Sequence, residues 1–135
     1  SVQLDIVIIS PNDVKIIKTV KGERNSVFNG INKHTWLEIT SRGTRRTVNP
    51  LLSLDRSEKI VKGILKKKDI HLPITCIIYA PESYIEFVDT PQHVHIVDRR
   101  ESLRWFDGLK NQLSPFKHSQ FIAAKSILNQ CQTTD

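Results

Sequence analysis

Apolar and polar positions recur along this chain with two different periods, and the change of period divides it. Val14-Lys15-Ile16-Ile17-Lys18-Thr19-Val20 comes close to switching at every second residue, the period of a strand with one buried face. The preceding run, Val2 to Ile9, is apolar except at Gln3 and Asp5 and reads as a buried strand. Between them, Ser10-Pro11-Asn12-Asp13 combines the fixed φ of proline with the turn tolerance of Asn and Asp. A hairpin is expected. Lys21 to Lys33 is polar, carries Gly22 and Gly30, and reads as loop around a short Val27-Phe28 segment. Trp36 to Thr40 and Thr44 to Val48 form two further strands that turn at Ser41-Arg42-Gly43.

The period shifts at Pro50. Leu51, Leu52, Leu54, Ile60, Val61, Ile64 and Leu65 follow helical spacing, with Asn49 as cap and Pro50 at the first helical position. The helix should end near Lys66-Lys67-Lys68, where cations suit its negative end. Ile74 to Ala80 is the most apolar run and reads as a central strand buried on both faces. Tyr84 to Val88 and Val94 to Val97 are shorter strands, and Arg100 to Leu113 and Pro115 to Cys131 are two closing helices. A strand meander, a crossover helix, more strands and closing helices predict an α/β fold, with a mixed central sheet flanked by helices.

Composition narrows the function classes. The length, 135 residues, suits a single domain spanning 1–135. Apolar residues at 39% and charged residues at 25% are those of a globular chain. No apolar stretch approaches the ~20 residues of a membrane span, and the start lacks the features of a secretory signal. A cytoplasmic protein with no membrane partner is therefore expected. The two cysteines, Cys76 in an apolar run and Cys131 near the end, make neither a disulfide framework nor a zinc ribbon. A buried thiol and a terminal one are expected instead. Methionine is absent and Ser1 leads straight into a strand-like run, as expected of a fragment or processed piece of a longer chain.

Lys plus Arg number 20 against 14 for Asp plus Glu, giving a pI near 9.5. That surplus favours polyanionic partners without choosing among them. Arg42, Arg45 and Arg46 cluster on the predicted hairpin, with Lys21 and Arg24 on the loop before it. Guanidinium forks match phosphate oxygens, so these five are candidate nucleic-acid contacts, weighed against a solvated hairpin tip. Trp36, Trp105, Phe106, Phe116 and Phe121 are better placed for core packing than for base stacking. His93 and His95 share a strand face at a spacing open to metal ligation. Asp98 and Glu101 lie nearby, but no third donor has convincing spacing, and an edge-strand surface pair is the expectation.

Gln3-Leu4-Asp5, a hairpin, a Gly22…Gly30…Trp36 loop, Asn49-Pro50-Leu51 opening a helix, and then Pro73-Ile74-Thr75-Cys76-Ile77-Ile78 occur in one order. That order resembles the nuclease-related domain (NERD) family, from about Gln3 to Ala80. The resemblance implies a restriction-endonuclease-like core of the Asp…Glu-x-Lys type, in which two carboxylates on adjacent strands hold Mg²⁺ and a lysine two residues on orients the nucleophile. It also implies a nucleic-acid substrate, DNA ahead of RNA. Helicase-like, kinase-like or zinc-ribbon segments often accompany such domains in one chain.

Asp5 matches the first carboxylate and Gln3 the polar residue two before it. The second strand departs from the pattern: Lys18 falls where glutamate is expected and Val20 where lysine is expected. Asp13 takes the place of a turn glycine, and Ser53 lies near that of a glutamine. The expectation is a degenerate site in which a Lys18–Asp5 ion pair occupies the metal's position and Asp5 alone binds Mg²⁺ weakly. The catalytic set carried over is then Asp5, Gln3 and Lys18, serving a nucleic-acid-binding module that cleaves poorly or not at all. One alternative is a working Mg²⁺-dependent DNA endonuclease, with Lys18 as its lysine and Glu23 or Glu38 supplying the missing acid. Another is a protein-interaction module on a nuclease-like scaffold.

Overall fold

In a computed structural model, residues 5–113 are described. The elements run β1 (Ile6–Ile9), β2 (Val14–Thr19), β3 (Val27–Gly30), β4 (Thr35–Thr40), β5 (Gly43–Val48), α1 (Pro50–Lys67), β6 (Ile74–Tyr79), β7 (Tyr84–Glu86), β8 (Val94–Val97) and α2 (Ser102–Leu113). The expected closing helix over Pro115 to Cys131 lies outside the described residues, as do Gln3, Phe116 and Phe121.

Over the described residues the fold is α/β, with two mixed four-stranded sheets and two helices. The first sheet has the order β1-β2-β6-β8; β1 and β2 pair antiparallel, and β2-β6 and β6-β8 pair parallel. Its two faces carry separate apolar sets, because strand side chains alternate. Val7, Ile9, Val14, Ile16, Cys76, Ile78 and Val94 pack with Leu54, Val61, Ile64 and Leu65 of α1. Ile17, Ile77 and Val97 pack on the other face with Trp105 of α2, whose ring lies 5.1 Å from that of Tyr79. This is the mixed sheet between helices that the periodicity predicts, and β6 is one of its two inner strands.

The remaining strands make a second sheet, β5-β4-β3-β7. The single central sheet of the sequence reading divides here for a simple reason. A strand has two hydrogen-bonding edges, and β1 and β6 occupy both edges of β2. The chain leaving β2 therefore starts anew, with β3 pairing β4 and β7. Phe28, Trp36 and Ile85 of this second sheet join the α1-side core. Phe106, expected in the core, is 42% exposed and lies under the Lys110 ammonium; in α2 the inward position belongs to Trp105.

Local chemistry sets the turns that aim these elements. At the β1–β2 turn, Ser10 Oγ donates to Asp13 Oδ1 (2.8 Å), and Lys15 Nζ and Thr75 Oγ1 also donate to that carboxylate. Burial raises the Asp13 pKa, but the bonds from Lys15, Ser10 and Thr75 outweigh it and hold the group below its usual value. Asp13 thus ties down this turn by side-chain bonds. At α1, Asn49 Oδ1 accepts from Leu51 N (2.9 Å) and its Nδ2 donates to Asn32 O, while Lys66 and Lys67 occupy the last turn. Asn49→Ala is expected to cost about 1 kcal/mol, visible as a lower urea midpoint at unchanged slope.

Candidate functional site

One step beyond the Ile6–Ile17 pair of the β1–β2 ladder, Asp5 falls opposite Lys18. Both side chains lie on the α1 side of the sheet, the side of Val7 and Ile16. Lys18 Nζ is 3.7 Å from Asp5 Oδ1, and Ser53 Oγ, from the first turn of α1, donates to the same oxygen at 3.2 Å. The Asp5 side chain is 1% exposed and that of Lys18 is 14% exposed. Asp5 Oδ2 is buried without a hydrogen-bond partner among the described residues.

Glu23 and Glu38, the acids that might complete a carboxylate pair, are both engaged elsewhere. Glu38 is fully buried in β4; its Oε1 accepts from Arg45 Nε (2.7 Å) and its Oε2 from the Glu23 backbone N–H (2.8 Å). Glu23 itself pairs with Arg42. Mg²⁺ demands near-octahedral oxygen ligation at ~2.0–2.1 Å. Among the described residues one carboxylate and a serine hydroxyl face an ammonium here, a donor set that does not fit that ion.

The basic residues flagged in the sequence divide into two groups. Arg42 and Arg45 are held in ion pairs to Glu23 and Glu38. Lys21, Arg24 and Arg46 are exposed and have no ion-pair partner among the described residues. The Glu23–Arg42 pair and the Glu38 bond to the Glu23 amide bring the Lys21–Arg24 loop against the β4–β5 hairpin, so both basic segments share one region. The β5 strand is exposed along nearly its whole length.

The family model of the nuclease-related domain, NERD, matches residues 1–81, more than half of the chain. The chain belongs to the NERD family. Comparison with curated proteins and with solved structures gives no match. Membership in NERD carries a nuclease-related function, suggests an interaction with nucleic acid, and is compatible with use of a divalent metal. Among the described residues no helix is long and apolar enough to cross a membrane.

A second cluster within this NERD fold escaped the sequence reading. Glu58 of α1, Cys76 of β6 and His93 before β8 bring one donor atom each within 4.8 Å of one another. His93 Nε2 lies 3.0 Å from Glu58 Oε1, and Lys62 Nζ lies 3.1 Å from Glu58 Oε2. Burial raises the Glu58 pKa, yet the bonds from His93 and Lys62 outweigh it and hold the carboxyl below its usual value. Burial, with the Glu58 carboxylate beside it, pushes the Cys76 thiol up to about 12.

His93 and His95 do not act as a pair. His95 registers with Ile77 on the α2 face and is exposed, whereas His93 turns to α1 from just outside the strand. Asp98, noted beside them, is instead buried as a structural anchor, accepting from Ile85 N (3.1 Å) and Arg100 N (3.0 Å).

Proposed function

We propose that this NERD domain binds nucleic acid through its basic loop and hairpin and does not hydrolyse phosphodiesters. The observation that carries the second half is the Lys18 ammonium, 3.7 Å from Asp5 Oδ1. A unit-charge pair at such a distance is worth roughly 4 kcal/mol at an effective dielectric of about 20. A divalent ion beside Asp5 would forfeit that attraction and meet a repulsion of comparable size. Lys18 stands in for the metal, and Asp5 keeps the position of a site that has no second acid among the described residues. The binding half is supported by family membership and by exposed Lys21 and Arg24 beside Arg42 and Arg45, with exposed Arg46 on the other face of the same edge strand.

Titration of a duplex DNA in rising salt tests the binding. Affinity is expected to fall steeply, and Lys21→Ala, Arg24→Ala and Arg46→Ala should each lower the log–log slope by about 0.9, the value for one phosphate contact. An RNA duplex of equal length shows whether DNA is the preferred polymer. No cleavage is expected with Mg²⁺ or Mn²⁺. Cleavage abolished by EDTA and by Asp5→Ala would overturn the inactive half, and a lack of affinity at low salt would overturn the binding half.

A further inference from the structure

We propose that Glu58, Cys76 and His93 form a zinc-class metal site, separate from the Asp5–Lys18 pair and different from it in chemistry. The three donors come from three elements that packing alone brings together. Cys76 is fully buried in the middle of β6, registered between Ile16 and Val94 on the face that α1 covers. Glu58 points inward from α1 and is 9% exposed. His93 reaches Glu58 from the entry to β8 and keeps half its side chain in solvent.

Thiolate, imidazole and carboxylate form a donor set for Zn²⁺ or Co²⁺ and not for Mg²⁺ or Ca²⁺, which take oxygen ligands. Around a tetrahedral zinc with bonds of ~2.0–2.3 Å, donor atoms sit about 3.5 Å apart. The present spread of up to 4.8 Å therefore needs only a modest contraction. His93, exposed and outside the strand ladder, is the ligand free to supply it. On binding, the ion takes the place of the proton between His93 Nε2 and Glu58 Oε1. The imidazole keeps one proton on Nδ1 and any second one leaves to solvent, as the thiol proton does when the thiolate forms.

Two clefts meet at this point. One, of about 660 Å³, is lined by Trp36, Leu54, Asp55 and Val94 among others, and the second, of about 470 Å³, by Lys62, Leu65 and Leu72. Glu58 and His93 line both clefts, and Cys76 lines neither. The thiolate would be the deep ligand, and the fourth position would open toward solvent for a water or a small anionic ligand. Lys62, already 3.1 Å from Glu58 Oε2, would hold the carboxylate from outside while Oε1 binds the ion.

Cobalt titration of the full chain, freed of metal by a chelator, tests the site. One equivalent of Co²⁺ is expected to produce a thiolate-to-cobalt charge-transfer band and the strong visible bands of a four-coordinate ion, all displaced by Zn²⁺. Cys76→Ser should remove the charge-transfer band. His93→Gln, at an exposed position that leaves the fold intact, should weaken uptake by at least about tenfold, the lower bound for loss of even an outer-shell partner. His95→Gln should change nothing. If Cys76→Ser fails to fold, the His93→Gln and His95→Gln comparison decides alone. No saturable uptake by the parent chain, no weakening in His93→Gln, or a charge-transfer band that survives Cys76→Ser and so belongs to Cys131, would each overturn the proposal.

Discussion

Lys18→Glu is expected to destabilise the fold by about 3–5 kcal/mol in metal-free buffer at neutral pH, the range for breaking a buried ion pair by altering one partner. The pair at 3.7 Å would become two carboxylates, one of them, Asp5, almost wholly buried. Facing carboxylates raise each other's pKa in the folded state above the unfolded value. The native state then binds more protons than the unfolded chain, so the deficit is present at neutral pH and shrinks as pH falls through the raised value. The new pair is also the carboxylate couple that the resemblance to the family implies for holding a divalent ion. Mg²⁺ or Mn²⁺ at a hundredfold excess over Kd should return about 2.7 kcal/mol, with no such response in the parent chain. Cleavage is not expected from this change alone, because position 20 remains valine. A variant as stable as the parent, indifferent to pH and to both ions, would mean that the side chain at position 18 does not face Asp5.

The elements were readable where the local signal and the tertiary role agree. The strand pattern from Val14 and the apolar run from Ile74 became β2 and β6, paired in parallel, because both supply the sheet face that α1 covers. Asn49-Pro50 marks the start of α1 by a side-chain bond that the residue types themselves specify. Asp5 and Lys18 were brought together by the family resemblance, and the hairpin register sets them opposite each other. The division into two sheets was not readable, since it depends on which strand edges are already filled.

The grouping of Glu58, Cys76 and His93 was hidden for a related reason, although His93 by itself stood out as a possible metal ligand. Each has an ordinary local explanation, in a helix charge pair, an apolar strand and a strand terminus, and only the packing of α1 on β6 and β8 unites them. Arg42 and Arg45 show the reverse case. Their clustering was visible in the sequence, but their commitment to Glu23 and Glu38 was not, because those partners lie on a loop and a neighbouring strand. Charge counted along the chain therefore overstates the charge available to a ligand, and Lys21, Arg24 and Arg46 are the more informative residues to mutate.

The connection between the two sheets carries the other large expected effect. A Cβ at Gly22 would lie 2.5 Å from Ser83 Oγ and 2.7 Å from both Glu38 Oε2 and Phe28 Cε2. None of the three has room to retreat. Ser83 is fully buried, with its hydroxyl bonded to Ser26 Oγ and donating to Glu23 O. The Glu38 carboxylate is held by Arg45 and by the Glu23 amide, and Phe28 is buried against Trp36. Gly22→Ala must therefore displace a satisfied polar network and part of the core together, at a cost of about 3 kcal/mol, the upper end of ordinary overpacking. For a domain of this size that corresponds to a fall in Tm of roughly 10 °C. Gly63→Ala provides the control of opposite sign. A Cβ there meets nothing within 4 Å, and the position is inside α1, so alanine should stabilise by about 0.5–1 kcal/mol through helix propensity. If both variants melt with the parent chain, the loop after β2 does not pass beneath Glu38 and Ser83, and the two sheets are joined in some other way.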